Sequence, residues 1–174
     1  MNEQQTIPDA SSIWEARSRV INNRDFISVK PYSGYSLAIA DPKAPEYLLK
    51  PDASDEELGE AILNALKHSR FLSYEEATEL RANGKQNYDN WVQKIMSMYG
   101  YKTKKAMFKD MKSCGMSLHE GIITIRPSYH EKLEAWGGEG ISEDDYVHIS
   151  ADSPHAEIGA ALRLAFSRCT GMGS

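Results

Sequence analysis

Cysteine is scarce in this chain. Cys114 and Cys169 are the only two in 174 residues, too few for a disulfide framework and at no metal-ligand or redox spacing. Free, reduced, inert thiols in a reducing compartment are expected instead. Long apolar runs are also missing: no stretch approaches the ~20 residues that cross a bilayer. The opening residues, MNEQQTIPDASS, lack the apolar core of a secretion signal, so a cytoplasmic location is expected, with residues 1–11 as a disordered tail. Positive charge is in deficit as well. A net charge of −5 argues against whole-chain electrostatic binding of nucleic acid and suits a basic protein partner, or plain solubility.

Catalytic text is missing too. His130-Glu131 opens an H-E-x-x pattern, but Glu134 stands where a zinc protease needs its second histidine. His119-Glu120 fails sooner, at Gly121, and a histidine in that turn reads as solvated. Gly137-Gly138-Glu139-Gly140 has the glycines of a phosphate loop without its lysine or hydroxyl, and reads as a mobile loop or turn. Gly34-Tyr35-Ser36 fails as a nucleophile elbow because position 38 is Ala38. No catalytic residue, cofactor or metal site is expected.

What the chain does contain is a repeat. EELGEAILNALKHS at 56–69 recurs as AEIGAALRLAFSRC at 156–169. Leu58, Ala61, Ile62, Ala65 and Leu66 fall at helical spacing, and Ile158, Ala161, Leu162, Ala165 and Phe166 repeat the stripe position by position. Gly59 and Gly159 occupy the same place, where close helix–sheet approach is the expected reason. Ser54 with Glu57 is a capping-box start, and Ser153-Pro154 a second helix start. Upstream, Tyr47-Leu48-Leu49 matches Tyr146-Val147-His148-Ile149, and Ser28-Val29-Lys30-Pro31 matches Thr124-Ile125-Arg126-Pro127. Both of the latter read as strands that a proline ends.

The expected fold is therefore α/β (α+β): a single domain over 12–170 with a central mixed sheet flanked by helices. It comprises two pseudo-symmetric strand–strand–helix units, near 25–70 and 121–169, with a helical insert near 73–111 and a flexible tail at 171–174. The stripe residues Leu58, Ile62, Leu66, Ile158, Leu162 and Phe166 are expected in the core. Residues 14–21 fit strand or helix equally.

Charge is clustered. Asp52, Asp55, Glu56, Glu57 and Glu60 surround the first helix start, where the macrodipole already favours them. Glu139, Glu143, Asp144 and Asp145 form a second acidic run in a glycine-rich loop, where helix capping does not account for them. That loop is the better candidate for meeting a basic partner. Lys102, Lys104, Lys105, Lys109 and Lys112 form a basic run that alternates with apolar residues, as the wet side of a packed helix would.

Five ordered blocks carry a further signal: PYSGYSLAIADP (31–42), DEELGEAILNALKHSRF (55–71), YGYKTKKAMFKDMKSCG (99–115), IITIRPSYHEKLEAWGGEGI (122–141) and AEIGAALRLAFSRC (156–169). Together they resemble the contact-dependent growth inhibition (CDI) immunity proteins, in the branch first catalogued as a bacterial domain of unknown function. The resemblance runs from about Arg24 to Cys169. It implies a non-enzymatic inhibitor that binds, one to one, the cognate toxin C-terminal domain of a CdiA-type exoprotein and blocks its active site or substrate access. It also implies that this toxin is a basic nuclease, and that the inhibitor itself contacts neither nucleic acid nor membrane. The candidate toxin-binding residues are Glu139, Glu143, Asp144 and Asp145 first, then Asp52, Asp55, Glu56 and Glu60. Two other readings compete: a small cytoplasmic enzyme with a spatially assembled Cys/His/Asp site, and a regulatory interaction protein unrelated to toxins.

Overall fold

A computed structural model describes residues 9–172. Ten strands and five α-helices follow one another as β1 (Ala16–Asn22), β2 (Ile27–Gly34), β3 (Ala38–Ala40), β4 (Tyr47–Leu49), α1 (Asp55–His68), α2 (Tyr74–Ala82), α3 (Gly84–Tyr99), α4 (Lys104–Phe108), β5 (Lys112–His119), β6 (Ile122–Arg126), β7 (Tyr129–Lys132), β8 (Ala135–Gly137), β9 (Val147–Ser150), α5 (His155–Ser167) and β10 (Thr170–Gly171). The expected α/β (α+β) fold forms, but the central sheet, expected to be mixed, is antiparallel. In the seven-stranded sheet every strand pairing is antiparallel, in the order β3-β2-β1-β5-β6-β9, with β4 sharing the β2 edge with β3. Parallel pairing of strands is confined to the small sheet β10-β7-β8.

The ambiguous segment at 14–21 becomes β1, and this enlarges the repeat. β1 and β5 pair at the centre of the sheet, with Arg19 opposite Gly115. On one side follow β2 and β4, on the other β6 and β9, and the pairs Val29–Tyr47 and Ile125–Val147 correspond. Each half is thus three antiparallel strands and a helix, related by a pseudo-twofold axis through the sheet centre. The β5–β6 hairpin turns on Glu120 and Gly121, both with positive φ (48° and 78°), the geometry that suits a two-residue hairpin turn.

α1 and α5 cover one face of the sheet. Their stripes are buried as expected: Leu58, Ile62, Ile158 and Leu162 are fully enclosed, with Leu66 and Phe166 nearly so, against Val20, Ile27, Val29, Cys114, Met116, Ile123 and Ile125. The glycines, however, serve a different approach from the one expected. A Cβ at Gly59 would sit 1.9 Å from the carbonyl oxygen of His155, and a Cβ at Gly159 would sit 1.9 Å from that of Asp55. The close contact is helix on helix, each glycine accepting the first turn of the other helix. Arg163 locks the crossing by donating to Asp55 (2.8 Å) and to the Ala53 carbonyl.

The two prolines also behave differently. Pro127 ends β6 as expected, but β2 runs through Pro31 to Gly34. Pro31 accepts from the Asp41 amide (3.1 Å), so its missing N–H faces the same edge, in the gap where β4 has ended and β3 begins. No ladder bond is lost there, and the strand continues.

The insert forms α2, α3 and α4. Ser73 and Thr103 cap α2 and α4, and Gly100 (φ 72°) closes α3. Val92, Ile95, Met107, Phe108 and Met111 pack onto Ile21 and Phe26, on the opposite side from α1 and α5. Lys104, Lys105 and Lys109 remain on the wet side. Ala10–Ile13 makes a 3-10 turn capped by Asp9, so the end of the stretch expected to be disordered has a defined turn; residues 1–8 lie outside the described residues. Gly171, the first residue of the expected flexible tail, belongs to β10, and residues 173–174 lie outside the described residues.

Gly59→Ala tests the crossing. Alanine gains about 1 kcal/mol in helix propensity. A methyl group driven into backbone should nevertheless make the protein less stable by about 1–3 kcal/mol, the usual range for overpacking. Urea denaturation reads this directly, and an unchanged midpoint would mean the helices part freely.

Candidate functional site

The sheet face away from α1 and α5 is only partly covered, and its open part is a groove. One section, about 830 Å³, lies between the β1–β2 strands and α3, with Lys30, Tyr32, Trp91 and Trp136 in its lining. A second, about 490 Å³, lies over β1, β5 and β6 and is walled by Gly137, Gly138, Ile141 and Tyr146. Arg19, Tyr32 and Trp136 line both sections, so the two are continuous.

The floor follows from strand alternation. β1 directs Val20 into the helix-covered core and therefore Arg17 and Arg19 to the other face. β5 likewise buries Cys114 and Met116 and turns Ser113, Gly115 and Ser117 to the groove. In register across the sheet, Lys30 lies opposite Arg19, Arg19 opposite Gly115, and Gly115 opposite Arg126. One row of three cations therefore crosses four strands. Arg19 donates to Ser113 Oγ (2.7 Å) and lies over the Tyr32 ring, while Arg126 donates to Ser117 Oγ (2.9 Å) and lies over the Tyr146 ring.

The carboxylates of the groove are committed elsewhere. Burial pushes the Asp41 carboxyl up, but bonds from Arg70 (2.8 and 3.0 Å) and Ser33 (2.6 Å) outweigh it and hold the group ionised below its usual range. Glu46 follows the same pattern: burial is overcome by Lys94 (2.8 Å), Ser28 (2.6 Å) and the Trp91 indole (2.8 Å). Glu15 pairs with His119 at 3.2 Å. Lys30 stands with its Nζ 3.5 Å from the Trp91 ring centre, and burial pulls its pKa down to about 8 against the pull of Glu46.

The acidic loop rims this groove. Glu139, Glu143 and Asp144 are exposed, and among the described residues no cation lies within ion-pair distance of them. Asp145 is different, and here capping does apply. Residues Glu143–Asp145 form a 3-10 turn, and the Asp145 carboxylate closes a capping box by accepting from the Ser142 amide (2.9 Å). The other acidic run lies across the sheet, on α1. Asp55 is bonded to Arg163, while Asp52, Glu56 and Glu60 are exposed. The structure thus separates the two sets onto opposite sides of the sheet.

His119 is exposed beside the β5–β6 turn, as expected, whereas His130 is buried in β7, stacked on Trp136 at 4.6 Å, with Nε2 2.9 Å from the Leu133 carbonyl oxygen. Cys114 and Cys169 are buried free thiols with their sulfurs 3.7 Å apart. The bond from Cys114 lowers the Cys169 pKa to about 7, and that same bond together with burial raises the Cys114 pKa. Neither has a histidine among its hydrogen-bond partners. Among the described residues no group of three acidic, histidine or cysteine side chains is placed to hold a metal, and no helix is long and apolar enough to cross a membrane.

The cationic row went unread in the sequence because its members come from strands up to about a hundred residues apart. The alternation Arg17-Ser18-Arg19-Val20 was the available signal, and it lay in the segment that fitted strand or helix equally.

Comparison with known proteins gives consistent matches. The family model described as CDI immunity protein matches residues 17–169. The immunity protein CdiI-YPIII of Yersinia pseudotuberculosis serotype O:3 is 47% identical, the match covering 91% of this chain and 98% of the relative. The chain superposes with a TM-score of 0.84 on a solved CdiA-CT/CdiI toxin and immunity complex from Yersinia pseudotuberculosis, at 43% identity over 91% of this chain and 99% of that one. A Neisseria meningitidis protein of unknown function gives the same TM-score at 34% identity, over 95% of this chain and 99% of that one.

Two measurements probe the site. Between about pH 8 and the ordinary lysine value of 10.5, the unfolded chain binds a proton at Lys30 that the folded chain has released, so this group makes stability rise with pH across that window. The difference in urea stability between wild type and Lys30→Met should shift in favour of wild type from pH 8 to 10, and a flat difference would contradict the lowered pKa. The thiols should take up iodoacetamide twice per unfolded chain and negligibly in the native protein, as read by intact mass. A single label, or none, in the unfolded chain would indicate a bridge.

Proposed function

Because the chain belongs to the CDI immunity protein family, we propose that it binds the toxin domain of its cognate CdiA-type exoprotein and holds it inactive. The observation that carries this reading is the likeness, over nearly the full length of the solved partner chain, to an immunity protein in a toxin and immunity complex. The complex is one to one and forms in the cytoplasm of the protected cell. The toxin is a basic nuclease whose active site or substrate access is closed by the bound inhibitor. The inhibitor itself turns nothing over and contacts no nucleic acid.

Charge supports the partner's sign. A protein with net charge −5 and unpaired carboxylates at Glu139, Glu143 and Asp144 attracts a basic surface. Among the described residues these rim carboxylates have no structural partner, unlike Asp145 in its capping box and Asp55 in its pair with Arg163. They therefore rank before Asp52, Asp55, Glu56 and Glu60 as the contact surface.

Stopped-flow binding to the cognate toxin domain tests both statements. Wild type should bind with one-to-one stoichiometry and abolish the toxin's activity. The variant Glu139→Gln/Glu143→Gln/Asp144→Asn, which leaves Asp145 in place, should associate about tenfold more slowly at low salt with little change in dissociation, and the deficit should shrink as salt rises. An unchanged on-rate would remove the loop from the interface. Absence of binding by wild type would overturn the function itself.

A further inference from the structure

The groove floor has the opposite sign to the rim, and to the protein as a whole. Arg19 and Arg126 stand on either side of Gly115, and each spends one bond on a β5 serine. Among the described residues neither guanidinium, nor that of Arg17, has a carboxylate within ion-pair distance; Asp41 is held by Arg70, Glu46 by Lys94, and Glu15 lies against the His119 ring. Lys30 and Arg19, like charges directly opposite one another on neighbouring strands, oppose the sheet's own stability. A guanidinium has five N–H donors in a planar fork, so most of their capacity here is unspent. Gly115 keeps the space between them open: a Cβ on it would lie 3.3 Å from Arg19 Nη2.

We infer that the Arg19–Gly115–Arg126 row is a carboxylate-binding subsite that receives an acidic side chain projecting from the toxin domain. The proposal rests on the reading that this chain binds such a domain, and it names the chemistry of the segment that enters the groove. A single guanidinium fork matches the two oxygens of a carboxylate in width and in donor direction, and the row offers one on each side of Gly115. The partner is thus a bipolar surface: basic where it meets Glu139, Glu143 and Asp144, acidic at the point that reaches the floor. A nucleic acid strand fits less well, because a polyanion would have to pass the acidic rim of a protein that is already negative overall.

The experiment measures the affinity of the free toxin domain for four forms of the full chain: wild type, Arg19→Gln/Arg126→Gln, Gly115→Asp and Gly115→Ala. Thermal unfolding of each checks that it is folded. The double variant should bind at least tenfold more weakly. Gly115→Asp supplies a carboxylate from within; it should also bind at least tenfold more weakly while melting above Gly115→Ala, since it neutralises the row. Gly115→Ala, which adds bulk without charge, should lose less affinity than Gly115→Asp. A twelve-residue single-stranded RNA serves as competitor and should not displace the toxin from wild type. Folded double variant binding within twofold of wild type would overturn the subsite and leave the immunity function standing. Displacement by the RNA that is lost in the double variant would overturn the carboxylate assignment in favour of phosphate. Failure of wild type to bind the toxin domain at all would remove the reading on which the subsite rests.

Discussion

Everything in this molecule hangs on how closely two helices approach. α1 and α5 meet backbone to backbone at Gly59 and Gly159, each glycine lodged against the first turn of the other helix. At that spacing both apolar stripes reach the same sheet, and one continuous core forms from Val20 to Ile125. A side chain at either glycine would lift one helix away and open the core beneath it. The bond network around Arg163, Asp55 and Ala53 depends on the same spacing, since it spans the two helices at that point.

Sealing one face so completely leaves the open surface to the other. The segments that interrupt the repeat and line the groove, α3, β8 and the loop before β9, contribute walls on the face away from the paired helices. Their packing onto Ile21 and Phe26 closes one end of that face and leaves the strand centres open. The division is economical in physical terms: the repeated text makes a rigid support, and the text found in only one copy shapes a surface. Substitutions along the rim then reshape that surface with little effect on the core.

The sequence made the repeated text legible because helical periodicity survives in it residue by residue. The six stripe positions and the cap at Ser54 could all be read locally. Other features could not. β1 has charged and apolar residues in a pattern that fits either period, so the centre of the sheet was hidden. Pro31 is tolerated only because two short strands leave a gap at its edge, a fact of tertiary pairing. The glycine pair announced a close approach without saying what approaches. The acidic loop was found by composition, but the capping role of Asp145 needed the 3-10 turn that the glycines had obscured. The cationic floor is purely a product of register, and no window of sequence contains it.

Pseudo-symmetry has one more consequence. β1 against β5 and α1 against α5 is the geometry of an isologous dimer whose two subunits have become one chain. In a true homodimer every residue on the axis meets its own copy, so an arginine at the position of Arg19 would face another arginine across the central ladder. Joining the halves releases that constraint: the equivalent position here is Gly115. Ser69 and Cys169 diverge in the same way at matching sites. Ser69 uses its hydroxyl to tie β1 to β2, bonding the Arg17 amide and the Tyr32 carbonyl, whereas Cys169 presents a thiol to Cys114. Covalent linkage thus confers on a symmetric scaffold the freedom to carry an asymmetric surface, with each half free to specialise at a point its twin must leave empty.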